Sequence, residues 1–128
     1  MRILFAAILS LSLTSCTAQE GVTYTPAKAD SLIQAHKDDS NFVLLDIRTP
    51  EEYGMGHLPD SRLLDFYGAN FEAELDKLPR NAPILLYCRS GNRSGKAIRT
   101  MQSMGFTDVH HLAGGVVSWQ AEARPLQR

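Results

Sequence analysis

Seven consecutive residues carry the strongest chemical signal in this chain: Cys88-Arg89-Ser90-Gly91-Asn92-Arg93-Ser94. They follow an apolar run, Ile84 to Tyr87, and precede a helical pattern that starts near Ser94. A cysteine at a strand end, in a short loop entering a helix, sits where backbone N–H groups converge. Those groups and the helix N-terminus favour an anion, either the thiolate itself or a charged group bound beside it. Such surroundings lower a thiol pKa from its usual value of about 8.5. Cys88 therefore reads as a nucleophile, against the competing reading of a buried core cysteine. Gly91 suits a tight curl with positive φ. Ser94 can cap the helix and touch the sulfur, and Gly95 lets the first turn pack close to the loop. Arg89 and Arg93 both raise the local potential around Cys88.

The flanking patterns alternate between strand and helix. Pro26 opens a helix with Ala29, Leu32, Ile33 and His36 on one face. Phe42 to Leu45 is a short apolar run ending in Asp46, the mark of a buried parallel strand. Thr49-Pro50-Glu51-Glu52 reads as an N-cap, a first-turn proline and two first-turn acids. Gly54 and Gly56 cut that helix short. Residues 62–64 form another short strand, and Asn70 to Leu78 a helix stopped by Pro79. Ile84 to Tyr87 is a strand, and Ser94 to Met104 a helix stopped by Gly105. Val109 to Leu112 and Val116 to Ala123 complete the series as strand and helix. This order predicts an α/β fold, a mostly parallel sheet with helices on both faces.

The chain ends differ in character. Met1-Arg2 precedes an uncharged apolar stretch to Leu13, too short for a comfortable membrane span of ~20 residues. Residues 1–15 are read as a signal peptide, residues 16–22 as a tether and residues 23–128 as one domain. Leu13-Thr14-Ser15-Cys16 is similar to a bacterial lipobox, so Cys16 is the expected lipidation site, with cleavage after Ala18 as the alternative. A lipid on Cys16 would tether the domain to a membrane in the bacterial cell envelope. Of 13 Lys and Arg, one is Arg2; without the leader, 12 basic face 14 acidic residues, a net charge of −2. No basic block is present, which argues against nucleic-acid binding. With Cys16 so explained, Cys88 is a lone thiol in an exported protein, a candidate reactive group.

Three separated segments resemble the rhodanese-like domain. Asp46-Ile47-Arg48 with Glu52-Tyr53 and Gly56-His57-Leu58-Pro59 is similar to its first signature, residues 88–94 to its active-site loop, and Leu112-Ala113-Gly114-Gly115 with Trp119 to its C-terminal signature. Pro59-Asp60-Ser61 departs from the Gly-Ala pair the family often carries. The resemblance implies a central five-stranded parallel sheet and sulfurtransferase chemistry. In that chemistry Cys88 takes a sulfane sulfur from a small anionic donor such as thiosulfate, carries it as a persulfide, and passes it to a thiol or cyanide. Arg89 would face the pocket mouth and recognise the anion, with Ser90, Gly91, Asn92, Arg93 and Ser94 forming the cradle. Arg93 would brace the loop against Asp46 or Glu52, and Asp46 and Arg48 would support it structurally. No metal or organic cofactor is implied; an envelope protein is a conceivable partner.

The same residues admit other readings. Four residues separate Cys88 from Arg93, whereas cysteine-dependent phosphatases place five there, a wider cradle for phosphate. Phosphatase or arsenate reductase is thus the lesser enzymatic alternative. A persulfide-carrying or protein-binding module with little turnover is the non-enzymatic one. Gly91 to Lys96 is one residue short of a P-loop, with Ala97 where Ser or Thr is required. His57 is expected to make a structural hydrogen bond. His110 and His111 should point to opposite strand faces, a poor arrangement for a shared metal. Met101, Met104 and Trp119 are expected in the core.

Overall fold

The computed structural model describes residues 22–128. The expected signal peptide, Cys16 and the expected tether up to position 21 lie outside the described residues. Five strands form one wholly parallel sheet: β1 (Thr23–Tyr24), β2 (Val43–Asp46), β3 (Arg62–Leu63), β4 (Ile84–Tyr87) and β5 (Val109–Leu112), in the spatial order β1-β5-β4-β2-β3. The helices are α1 (Pro26–Ala35), α2 (Pro50–Gly54), α3 (Phe71–Asp76), α4 (Asn92–Ser103) and α5 (Gly115–Ala121).

β4 is central, and all four of its residues are 0% exposed. A strand covered on both faces must be apolar throughout, which is why Ile84 to Tyr87 reads as a run rather than an alternation. Its side chains divide between two cores. Ile84, Leu86 and then Cys88 pack with Phe71, Leu75, Ala97 and Met101. Leu85 and Tyr87 pack with Ala29, Val116 and Trp119. Each fully buried leucine contributes about 1.5–3 kcal/mol. The expected core residues Met101 and Trp119 are buried, and Met104 is partly buried against the first cluster.

Local signals hold at α2, where Thr49 and Glu52 form a reciprocal capping box behind Pro50. They are corrected at α4. That helix begins at Asn92, two residues before the expected start, and its N-cap is Gly91 with φ 97° rather than Ser94. Ser94 lies inside the first turn, and its hydroxyl turns back to the Gly91 carbonyl at 3.2 Å. Gly95 does not face the loop either: a side chain there would meet the His111 ring, 3.7 Å away.

Candidate functional site

Strand β4 delivers Cys88 to the carboxyl end of the sheet, and α4 begins four residues later. The loop between them curls so that its amides face inward. The Gly91 N–H donates to Cys88 Sγ at 3.1 Å and the Ser94 N–H at 3.5 Å. Ser94 Oγ lies 3.6 Å from the sulfur. The first-turn amides of a helix have no acceptor within it, so the start of α4 supplies donors that Cys88 can use. Positive φ at Gly91 makes this curl accessible without steric cost.

The outward carbonyls of the loop are held by α5. Val116 N–H donates to Cys88 O at 3.0 Å and Val117 N–H to Arg89 O at 3.1 Å. This approach needs Gly115: a Cβ there would fall 2.3 Å from Cys88 O and 2.5 Å from Arg89 O. The C-terminal glycine segment thus acts on Cys88 by fixing which way its peptide groups point.

Cys88 is 1% exposed and is the only free cysteine among the described residues. Burial alone would raise its pKa, but the Ser94 N–H and hydroxyl and the N–H groups of Gly91 and Ser90 outweigh it. The thiol is held below its ordinary value. The sulfur sits at the floor of the loop, deeper than an exposed nucleophile.

The remaining expected site residues separate into two groups. Arg93 and Glu52 pair bidentately at 2.8 and 2.7 Å, which settles Glu52, not Asp46, as the brace. The Arg93 pair lowers the Glu52 carboxyl to about 2, with the Thr49 backbone adding to it. Asp46 and Arg48 form a separate pair with almost no solvent exposure. Arg48 Nε and Nη2 donate to the Asp46 carboxylate, and Nη2 also reaches Gly56 O at 2.6 Å. That pair ties β2 to the turn after α2 and is structural. Arg89, Ser90 and Asn92 are exposed around the loop. Arg89 lines a depression of about 190 Å³ with Arg48, Glu52, Met55 and Val117. Met55 and Val117, two of the large apolar side chains most exposed to solvent, therefore rim it. His57 stacks on Tyr53 and approaches the Tyr53 carbonyl at 3.2 Å, a structural contact.

One neighbour of the sulfur's cradle comes from a strand distant in sequence. His111 Nδ1 lies 2.8 Å from Ser94 Oγ. The alternation of β5 places His110 and His111 on opposite faces, but nothing local shows that β5 lies beside the start of α4. Among the described residues no cluster of three or more His, Cys, Asp or Glu side chains is placed to hold a metal.

Comparison with known proteins gives a consistent pattern. The model of the rhodanese-like domain matches residues 27–122. The chain is 38% identical to the thiosulfate sulfurtransferase GlpE of Pseudomonas syringae over 81 residues, 61% of this chain and 72% of that protein. It is 32% identical to the probable adenylyltransferase/sulfurtransferase MoeZ of Mycobacterium tuberculosis over 84% of its own length; the match spans only 27% of MoeZ. In structure it resembles a rhodanese-related protein from Thermoplasma volcanium, with TM-score 0.67 and 22% identity, covering 82% of this chain and 96% of that one.

Proposed function

The chain belongs to the rhodanese-like domain family, and from that premise we propose that it is a sulfurtransferase working through a persulfide on Cys88. The observation that carries this reading is the pair of amides, Gly91 and Ser94, aimed at one sulfur. With thiosulfate as donor, the Cys88 thiolate attacks the sulfane sulfur. The S–S bond of the donor breaks, sulfite leaves with the bonding electrons, and a Cys88 persulfide anion forms. A nucleophilic acceptor, cyanide or a thiol, then attacks the outer sulfur, and Cys88 departs as thiolate. The same amides serve the thiolate before transfer and the leaving thiolate after it.

Arg89 is the candidate for recognising the anionic donor, because it is exposed, adjoins the nucleophile and lines the depression beside the loop. The name of the GlpE relative supports thiosulfate as the donor to try first. The phosphatase alternative is disfavoured by the site: Arg93, which would have to clasp a phosphate, is already engaged by Glu52 through both terminal nitrogens. Placement in the bacterial envelope through a lipid on Cys16 is part of the proposal and rests on the leader sequence alone.

Mass spectrometry of the full chain after thiosulfate treatment tests the chemistry. The expected result is a gain of about 32 Da on the Cys88 peptide, one sulfur held as a persulfide, lost again on adding cyanide with formation of thiocyanate. No such gain under conditions where Cys88 is alkylated readily would overturn the proposal.

A further inference from the structure

We propose that His111, acting through Ser94, positions the donor that ionises Cys88 and forms the inner half of a proton path from the buried sulfur to the sheet edge. The inference rests on the reading of Cys88 as the sulfur-transfer nucleophile and adds a residue to it. A thiol that is 1% exposed has little direct contact with bulk water, so a hydrogen-bonded neighbour offers its proton a way out. Among the described residues no carboxylate or imidazole hydrogen-bonds Cys88 directly. Ser94 Oγ does approach it, at 3.6 Å. That hydroxyl carries one hydrogen and has three neighbours: Cys88 Sγ, the Gly91 carbonyl at 3.2 Å and His111 Nδ1 at 2.8 Å. On the far side of the ring, His111 Nε2 lies 3.1 Å from Thr23 Oγ1, on the exposed edge strand β1. Thr23 and His111 are direct partners in the β1–β5 ladder, so the contact is built into the sheet register.

Two complete proton arrangements fit this chain. With Cys88 as thiol, S–H points to Ser94 Oγ, the Ser94 hydroxyl to Nδ1, and Nε2–H to Thr23. With Cys88 as thiolate, every link is reversed. Thr23 donates to Nε2, Nδ1–H donates to Ser94, and the Ser94 hydroxyl donates to the sulfur. Passing from one to the other moves one proton along each link. The S–H bond breaks, a water at Thr23 gains a proton, and the imidazole begins and ends neutral with its tautomer exchanged. Burial of His111 favours that neutral ring. The alternative acceptor for Ser94, the Gly91 carbonyl, wastes the hydroxyl; Nδ1–H leaves Ser94 free to aim at sulfur. Other ionisable groups are placed differently. Arg93 acts on Cys88 by charge and is held by Glu52. His110 lies on the opposite strand face, its ring tilted against Tyr24 and paired with Asp108.

The test follows iodoacetamide alkylation of the Cys88 peptide against pH in the full chain, which reads thiol ionisation independently of sulfur transfer. His111→Leu should raise the midpoint by about one pH unit, so that alkylation below the midpoint slows about tenfold. Ser94→Ala should do the same, and the double variant no more. His111→Asn, whose amide N–H can occupy the Nδ1–H position, should restore most of the loss. Thr23→Val, at an exposed strand position, should shift the midpoint in the same direction by about twofold in rate. A wild-type midpoint in folded His111→Leu, or no rescue by His111→Asn, overturns the inference. A wild-type chain that shows the low midpoint and the variant shifts, yet gains no sulfur from thiosulfate, supports the path and overturns only the transfer reading.

Discussion

Tyr87 and Cys88 are adjacent in sequence, both 1% exposed or less, and both weak acids, yet their surroundings drive them in opposite directions. Alternation along the strand sends Tyr87 into the core with α1 and α5, and Cys88 into the core with α3 and α4. Burial raises the Tyr87 hydroxyl far above its usual value, reinforced by the charge of Asp46, although Ser61 and the Leu58 N–H pull weakly the other way. The Cys88 thiol is lowered despite burial, because several donors converge on it. Burial thus sets no sign by itself; the balance of donors against desolvation does. Tyr87 is kept neutral as a structural link: its oxygen accepts from the Leu58 N–H at 3.0 Å and meets Ser61 Oγ at 2.9 Å.

This contrast can be broken or sharpened by substitution. The largest effect is expected from Cys88→Ser, which removes the thiol that the loop amides face. Sulfur transfer measured by sulfite release should fall about a thousandfold or more, because an alkoxide is not available near neutral pH. Gly115→Ala comes next. The added methyl meets the carbonyls of Cys88 and Arg89 and strains a residue at φ 55°. Denaturant unfolding should show a loss of about 3 kcal/mol, with slower transfer because the loop carbonyls are displaced. Tyr87→Phe leaves the Leu58 N–H and Ser61 without their partner and should cost about 1–2 kcal/mol. Its alkylation profile at Cys88 should match wild type; a shifted profile would mean that the two cores are coupled through the strand.

A pH-dependent effect belongs to Glu52. Its folded pKa of about 2 lies below the usual 4.5, so its stabilising contribution is complete above about 4.5 and is lost as pH falls towards about 2. Thermal unfolding of Glu52→Gln should therefore lie below wild type at neutral pH. The two curves should converge between pH 4.5 and pH 2. Parallel curves across that window would assign the loss to packing instead of charge.

Legibility from sequence followed the range of each interaction. The apolar run of β4, the Thr49-Pro50 helix start and the loop with its adjoining cysteine were all readable, because each depends on residues a few positions apart. The helix start at Ser94 was misplaced because the first turn is defined by the left-handed Gly91, and a serine three residues on imitates a cap. The sequence leaves the partner of Arg93 open between Asp46 and Glu52; in the fold Glu52 takes it while also accepting from the Thr49 N–H. Asp46 is taken by Arg48, two positions away, in a pair with almost no solvent exposure.

From the amino-acid order alone came the candidate nucleophile, the alternation of strands and helices and the resemblance that joins three distant segments, since local propensity and residue spacing are written along the chain. Only the folded arrangement could decide what acts on the sulfur. Val116, Val117 and Glu52 reach the loop or its arginine because α5 and α2 pack against the same sheet end. His111 meets Ser94 because β5 pairs beside β4 in a register that no local pattern encodes. A thiolate is stabilised by groups within a few ångströms in space, and separation along the chain carries almost no information about that distance.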